Sequence, residues 1–363
     1  MKKILCIIAA TALLGTTVFA GDEEASKKRD AQITGELGNV ADLLTDGNIE
    51  NTPMLLVNPD AYIGKLFPSI PAHFTAGISV SGTIFKTADL VDPMKNVIYT
   101  MTDELKASDF GKLFTGATED PVLDLNFDVP AKIPLPTAGV SLRIGGIILP
   151  FDIGFYGIYA IPGSLDSFKY EDFSASINYS SFGVDLRYCL VKEKGLLPKV
   201  SLGFGYTFVN ESLSFDAKRS FSYDYDFTSL GGTSGSAKGG FDTAIDMDIK
   251  QHSIFAQIQV SKQLLYLFTP YIGARYSISK TDADIDWYYK TNHDALPSPA
   301  PSMEDIDRKD SKSISSDFDM GEGNAQLFGG IGLNLALFQL GLNVQWNPKS
   351  NYVTAGLLAT LKI

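Results

Sequence analysis

Long apolar runs are the first feature that this sequence lacks. A helix needs roughly 20 consecutive apolar residues to cross a bilayer, and after residue 20 no stretch of the 363-residue chain approaches that length. The absence excludes a helical membrane protein as the main body of the chain. We therefore expect the exported chain to be either a soluble β-protein or a β-barrel that crosses a membrane.

Residues that carry chemistry are also scarce. The chain has 3 His, 2 Trp and 2 Cys, and it contains no Gly-x-Ser-x-Gly nucleophile motif. The stretch Asp282-x-Asp284-x-Asp286 imitates the start of a calcium loop but lacks the glycine and the terminal glutamate of that motif. The sequence therefore predicts no enzyme, no metal site and no cofactor.

Basic residues are fewer than acidic ones, with 30 Lys and Arg against 42 Asp and Glu. The formal net charge is −12 at pH 7, which argues against nucleic acid and against anionic lipid as electrostatic partners. We interpret the acidic residues as a solvated exterior.

The first 20 residues have the pattern of a secretory signal peptide. Lys2 and Lys3 precede the apolar run 4–14, and Val18-Phe19-Ala20 supplies small residues for cleavage before Gly21. Removal of residues 1–20 would leave Cys189 as the single thiol. One thiol cannot form an internal disulfide, so other interactions must hold the exported fold.

The last residues alternate between apolar and smaller or more polar side chains. Val353, Ala355, Leu357, Ala359 and Leu361 occupy every second position, and the sequence ends at Ile363. A period of two indicates a strand with one apolar face. This resembles the terminal strand of bacterial outer-membrane β-barrels. The resemblance implies location in the bacterial outer membrane, with outer-membrane lipid and the barrel-insertion machinery as partners.

The same alternation recurs along residues 73–363, and the intervening links alternate in length. Proposed inner turns are short, at 149–150, 192–199, 261–264 and Phe338-Gln339, whereas most proposed outer loops are longer: 87–137, 161–168, 224–240 and 282–325. This arrangement predicts an all-β, antiparallel, up-and-down transmembrane barrel of about ten strands, within a range of 8–14. Three strands, at 169–191, 199–223 and 241–261, are longer than the roughly 9–11 residues that cross a membrane.

Two regions outside the strands are too apolar to remain free in water. Residues 21–72 form an N-terminal periplasmic or plug segment ahead of the barrel, and residues 93–114 have helical spacing within the first outer loop. Asn58-Pro59 resembles the Asn-Pro-Ala stretch in the N-terminal hatch of outer-membrane long-chain fatty-acid transporters, although Asp60 follows here. In its general style the chain also resembles outer-membrane barrels of spirochaetes.

Five charged residues on the strands are candidates for lining the lumen. Each would cost about 2–4 kcal/mol on the lipid face near the membrane midplane, so we expect them to point inward. There they either line a pore and set its selectivity or pair with one another and fill a narrow barrel. The five are Arg143, Asp152, Asp185, Arg187 and Arg275.

Two functional hypotheses follow, together with a third interpretation of the fold. The leading one is passive passage of a small apolar or amphiphilic solute across the outer membrane, because the amphipathic segments could line a greasy lumen. The alternative is a closed structural or adhesive barrel that exposes its outer loops. A soluble periplasmic β-protein is the third. Some barrels of this size are proteases with Asp and His at the rim, but Asp248/His252 and His293-Asp294 have the pattern of solvated rim and loop residues.

Overall fold

The structure is a computed structural model, and it describes residues 57–61, 73–86, 132–145, 151–161, 168–170, 173–226, 233–293, 307–315, 317–318, 323–349 and 352–362. The predicted signal peptide, the predicted helix at 93–114, most of the segment 21–72 and the terminal Ile363 lie outside these residues. Within them, no helix is long and apolar enough to cross a membrane.

Twelve strands are described, and all of them belong to one antiparallel sheet. In chain order they are β1 (His73–Lys86), β2 (Lys132–Gly145), β3 (Phe151–Ala160), β4 (Phe168–Tyr170), β5 (Phe173–Val191), β6 (Lys199–Asp226), β7 (Ser234–Ser261), β8 (Phe268–His293), β9 (Asp307–Ser315), β10 (Asn324–Leu335), β11 (Phe338–Asn347) and β12 (Tyr352–Lys362).

Ten of these strands close into a barrel. Neighbours in sequence pair from β10 through β12, β12 pairs with β1, and the order continues through β8, which pairs with β10 and completes the ring. The short strands β4 and β9 lie outside this ring and pair with β5 and β8. The predicted all-β barrel of about ten strands is confirmed.

Several boundaries of the sequence-based prediction are wrong. Strands occupy parts of the predicted outer loops 224–240 and 87–137, because β6 extends to Asp226, β7 begins at Ser234 and β2 begins at Lys132. The turn between β10 and β11 consists of Ala336 and Leu337, with Ala336 at a positive φ of 50°, whereas Phe338 and Gln339 already begin β11. Residues 282–293 were predicted to be loop, but they continue β8, which is 26 residues long. Four strands, β5 to β8, are therefore much longer than a membrane crossing requires.

The barrel reverses the usual distribution of polarity in a folded protein. On β11 the outward-facing Leu340 and Leu342 are each 48% exposed, whereas the inward-facing Gln339 and Asn343 are at most 1% exposed. The same alternation of apolar-out and polar-in holds on the other strands of the ring. An exposed belt of this kind requires an apolar surrounding, which is the arrangement of transmembrane barrels.

Along the outer parts of the four long strands, the apolar side chains move from the outward face to the inward face. On β7 the apolar belt ends at Ile254, whose side chain is outward and exposed. Toward the start of the strand, the outward side chains of Lys250, Asp248 and Asp246 are exposed as well. On the inward face of the same stretch, Met247 and Ile249 are buried. Beyond the belt, the strands thus follow the ordinary rule of apolar inside and charged outside.

This change occurs at the same level on all four strands. The strand registers place Val184, Tyr206, Ile254 and Ile278 side by side in the belt, and two residues further out they align Phe182, Phe208, His252 and Lys280. The next outward-facing row is fully polar: Ser180, Asn210, Lys250 and Asp282. The parts of β5 to β8 from this row outward, together with β4 and β9, are called the outer extension below.

Candidate functional site in the barrel lumen

The five charged residues singled out in the sequence all lie inside the barrel. Arg143 is on β2, Asp152 on β3, Asp185 and Arg187 on β5, and Arg275 on β8, and each is at most 7% exposed. Whether they line a conducting pore stays a prediction, but their inward direction and their burial follow directly from the period of two along each strand.

Asp185 accepts hydrogen bonds from two guanidinium groups. Nη2 of Arg143 lies 2.6 Å from Oδ1 and 2.8 Å from Oδ2 of Asp185, and Nε of Arg187 lies 2.9 Å from Oδ2. Gly154 explains why Arg143 can reach Asp185 across the intervening strand. It is the register partner of both residues, and a Cβ at Gly154 would collide with the ion pair. These buried pairs are charge-assisted and fill the middle of the lumen.

Arg275 is held differently. Its Nε and Nη2 donate to Oε1 of Gln257 at 3.3 and 3.0 Å, and its guanidinium carbon lies 4.7 and 5.8 Å from the ring centroids of Phe255 and Phe328. Among the described residues, no carboxylate lies within ion-pair distance of Arg275. A neutral amide and two aromatic faces therefore compensate a full buried charge only in part.

Residues 57–61, here called the lumenal segment, lie inside the inner end of the barrel. Nε2 of Gln259 donates to the carbonyl oxygens of Asn58 (2.8 Å) and Pro59 (3.3 Å). The amide of Ala61 donates to Oγ of Ser261 at 3.1 Å. The structure therefore places the predicted plug residues Asn58 and Pro59 within the lumen, fastened to β7. Their role as a plug stays a prediction.

Asp60 links the lumenal segment to the last strand. Its Oδ2 lies 2.5 Å from Nζ of Lys362 on β12 and accepts a hydrogen bond of 3.4 Å from Nε2 of Gln339. Sequence reasoning missed this pair, because nothing in residues 57–61 identifies a partner that is about 300 positions away.

Two glycines make the space for Pro59. Gly332 on β10 and Gly341 on β11 are cross-strand partners, and a Cβ on them would approach Pro59 to 2.8 and 3.0 Å. Val57 packs beside them against Tyr271 and Phe328 in a small buried cluster. The lumenal segment therefore lies in a recess of the barrel wall that the two glycines leave open.

A cavity of about 40 Å³ remains between the lumenal segment and the charged cluster. This is room for one or a few molecules of the size of water, and far too little for an organic solute. The residues that line it are Val57, Asn58, Thr75, Ser141, Leu142, Arg143, Phe155, Tyr156, Asp185, Arg187, Phe255, Gln257, Arg275 and Leu358.

An apolar cluster fills the lumen on the outer side of this cavity. Ile158, Tyr179, Val209 and Phe255 are buried against one another, and the hydroxyl of Tyr156 lies 3.0 Å from Oγ1 of Thr207. The next inward-facing residue on β6 is Glu211, at the base of the outer extension, and burial raises the pKa of its carboxyl to about 7.

Of the residues considered for a protease-like rim, Asp294 lies outside the described residues, and Asp248 and His252 are not assembled for that chemistry. Nδ1 of His252 lies 2.6 Å from the hydroxyl of Tyr206 on the outward face, and its ring also contacts Phe208. Asp248 instead accepts a hydrogen bond from Ser212 at 2.6 Å. No group of three or more His, Cys, Asp or Glu in the described part of the chain could hold a metal ion. That the protein is no enzyme stays a prediction.

Comparison with known proteins gives distant structural likenesses only. No family model and no curated relative matches the chain, so its resemblance to fatty-acid transporters and spirochaete barrels stays a prediction.

Solved structures similar to it are bacterial outer-membrane β-barrels. The translocator domain of the autotransporter NalP from Neisseria meningitidis is 8% identical, with a TM-score of 0.30, and the match covers 93% of this chain and 96% of that one. The transport unit of the autotransporter AIDA-I from Escherichia coli is 11% identical, with a TM-score of 0.31 and coverages of 90% and 99%. The attachment invasion locus protein Ail of Yersinia pestis is 7% identical, with a TM-score of 0.24 and coverages of 80% and 97%. Likenesses this distant do not bear on what the protein does.

Proposed function

We propose that this chain is a bacterial outer-membrane barrel with a closed lumen, and that its function lies in the sheet that it holds above the membrane. The observation that carries this proposal is the change of polarity along β5 to β8. An exposed apolar belt gives way, at one level on four strands, to a face that is charged outside and apolar inside. Lipid solvates the first part and water solvates the second.

The packing of the lumen supports a closed barrel. The buried ion pairs of Asp185, the apolar cluster around Tyr179 and the lumenal segment occupy successive levels, and the cavity among them is about 40 Å³. A solute could pass only if several of these groups moved, and each buried charge that lost its partner would cost several kcal/mol, roughly 3–5.

The dimensions of the outer extension support display at the cell surface. On β6 the residues from Asn210 to Asp226 lie beyond the belt and pair with β7 as far as Ser234. Seventeen residues of strand measure about 55 Å at 3.2–3.4 Å per residue. The hairpin is therefore long enough to stand well clear of lipid headgroups.

The outer face of the extension favours a cationic partner. Asp246 is directly opposite Asp286, and Asp248 is directly opposite Asp284, and all four are exposed. Like charges in cross-strand pairs destabilise a sheet, so a positively charged surface that docks here would relieve repulsion. Such an interaction weakens as salt concentration rises.

Cysteine labelling on intact cells tests the orientation. In a Cys189→Ser background, Asp246→Cys should react with a membrane-impermeant maleimide, whereas Leu196→Cys, in the exposed turn at the opposite end, should react only after lysis. The two sites are matched because both are solvent-exposed. Labelling of Leu196→Cys alone on intact cells would invert the proposed orientation.

Shortening both long hairpins tests the function itself. Residues 212–248 and 284–313 are each replaced by an Asn-Gly turn, because Glu211 pairs with Ile249 and Ala283 pairs with Ile314, and this removes both Asp–Asp pairs. The shortened barrel should keep its heat-modifiable migration on a gel but lose salt-sensitive binding of its proteoliposomes to a polylysine-coated surface. Equal binding of the full and shortened proteins would refute the display function.

Passage of a small apolar or amphiphilic solute is the second candidate. The observation that favours it is the non-covalent attachment of the lumenal segment, which hydrogen bonds and one ion pair hold within the barrel. Uptake of such a solute into liposomes should then exceed that of protein-free liposomes, and deletion of residues 57–61 should raise it further. Equal uptake with and without the full-length protein would exclude this function.

A further inference from the structure

The charges around the lumenal cavity do not balance. Among the residues that the structure describes, four charged side chains line it: the guanidinium groups of Arg143, Arg187 and Arg275 and the carboxylate of Asp185. Their formal sum is +2. Asp152 lies opposite Arg187 in the β3–β5 register, away from the cavity lining, and counting it as well still leaves one positive charge without compensation. An unmatched charge in a buried site is costly.

Two of the three guanidinium groups that line the cavity are incompletely paired by the described residues. Nη1 of Arg143 is buried, and no hydrogen-bond acceptor lies within reach of it in the described part of the chain, although Arg143 as a whole is only 6% exposed. Within the described ranges, Arg275 donates to the neutral amide oxygen of Gln257 and to no other group. Buried donors in proteins are normally satisfied, so these two groups point to an acceptor that carries negative charge.

We propose that the cavity is a binding site for one small inorganic anion of the halide class, held between Arg143 and Arg275. A volume of about 40 Å³ accommodates such an ion. It excludes organic carboxylates and phosphate esters, which are several times larger. Ser141 and Thr75, which both carry hydroxyl groups, also line the cavity. The ion would neutralise the charge excess and so stabilise the closed lumen, a role separate from the display function.

Anion-dependent unfolding tests the site in the intact protein. The full-length barrel in detergent is unfolded by heat at constant ionic strength in sodium chloride, sodium bromide or sodium gluconate. Halides should raise the transition midpoint in a saturable way, and a halide concentration of ten times the dissociation constant should lower the unfolding equilibrium constant about elevenfold. Identical midpoints in halide and gluconate would overturn the proposal.

Two variants and one crystallographic measurement locate the ion. Arg275→Gln removes a guanidinium that has no carboxylate partner among the described side chains, so the barrel should fold and its halide response should fall at least severalfold. Lys250→Gln removes one positive charge from the exposed face of the outer extension and should leave the halide response intact. Equal responses in the two variants would refute the assignment. Should Arg275→Gln fail to fold, anomalous scattering from bromide-soaked crystals of the unmodified protein decides the matter. A bromide peak near Nη1 of Arg143 supports the site, and bromide found only on the outer surface refutes it.

Discussion

The position of the apolar belt predicts that one arginine substitution is severe and another, on the same face of the same strand, is harmless. Leu186 is outward on β5 and 40% exposed, and it lies in the middle of the belt, which extends on this strand from Phe182 to Leu190. Its row continues through Phe204 and Ala256 across the neighbouring strands. Asn178 faces the same way on β5, is exposed, and lies in the outer extension.

The expected difference follows from the depth of the two positions. Arginine on the lipid face of a barrel costs about 2–4 kcal/mol at the midplane and close to zero beyond the interface. Eight residues separate Leu186 from Asn178, or about 26 Å along the strand. Leu186→Arg should therefore lower the folding equilibrium constant by roughly 30-fold or more, since each 1.4 kcal/mol is a factor of ten. Asn178→Arg should change it by less than about threefold.

Urea titration of the two variants in lipid vesicles measures this difference. The folded fraction is read from heat-modifiable migration on a gel, and the unmodified protein is titrated alongside. Equal free energies of unfolding for Leu186→Arg and Asn178→Arg would refute the assignment of the belt to lipid. So would a protein that stays folded and soluble in buffer without detergent, because a second layer of protein would then have to cover the belt.

Three further predictions concern the interior. Asp185→Asn leaves the guanidinium groups of Arg143 and Arg187 without a carboxylate and should destabilise the barrel by about 3–5 kcal/mol in urea titration, and adding Arg143→Gln should recover part of that loss. Asp60→Asn removes the ion pair with Lys362 and should lower the free energy of unfolding by no more than about 1 kcal/mol in the same titration. Trypsin or chymotrypsin should cleave the variant around residues 57–61 faster than it cleaves the unmodified protein. An unchanged cleavage rate would contradict the anchoring role. Because burial raises the pKa of Glu211 from 4.5 to about 7, the folded state binds its proton more tightly than the unfolded state, and stability falls as pH rises from 4.5 through 7. Glu211→Gln should therefore match the unmodified protein at pH 4 and exceed it by up to about 3 kcal/mol at pH 8 in thermal or urea unfolding; a pH-independent difference would be the contrary result.

The directions of the strand residues were predictable because a strand has a period of two. Once Leu340 and Leu342 were identified as one face, Asn343 and Gln345 had to occupy the other, and the same argument turned the five charged residues inward. The turn at Ala336 was misplaced for a physical reason as well. Its positive φ is usually a position for glycine, and alanine gives no signal for it in the sequence.

The outer part of β8 was missed because charge was taken as a sign of a loop. Asp282, Asp284 and Asp286 alternate with Ala283 and Ile285, which is again a period of two. The alternation has the opposite sense to that of the belt, with charges outward and apolar residues inward. A strand that leaves lipid and enters water must make this exchange, so the reversal could have been identified from the sequence.

The contacts of the lumenal segment were beyond sequence reasoning. The recess for Pro59 depends on Gly332 and Gly341 being cross-strand partners, and the anchoring of Asp60 depends on Lys362 being inward on the last strand. Each of these facts follows from the registers of strands far apart in the chain. A single glycine in a strand pattern indicates close approach of something, but it does not say what approaches.

The proposed closed lumen and the proposed anion site follow from the same constraint. In a soluble protein the hydrophobic effect packs the interior, but a barrel in lipid turns its apolar side chains outward and leaves polar ones to fill the lumen. Polar and charged groups that are removed from water must be paired one by one. Asp185 satisfies two guanidinium groups in this way, and Gln259 and Lys362 satisfy the lumenal segment. Around the cavity, the described residues leave Nη1 of Arg143 without an acceptor and Arg275 without a carboxylate, and a small anion is the simplest group that completes their pairing.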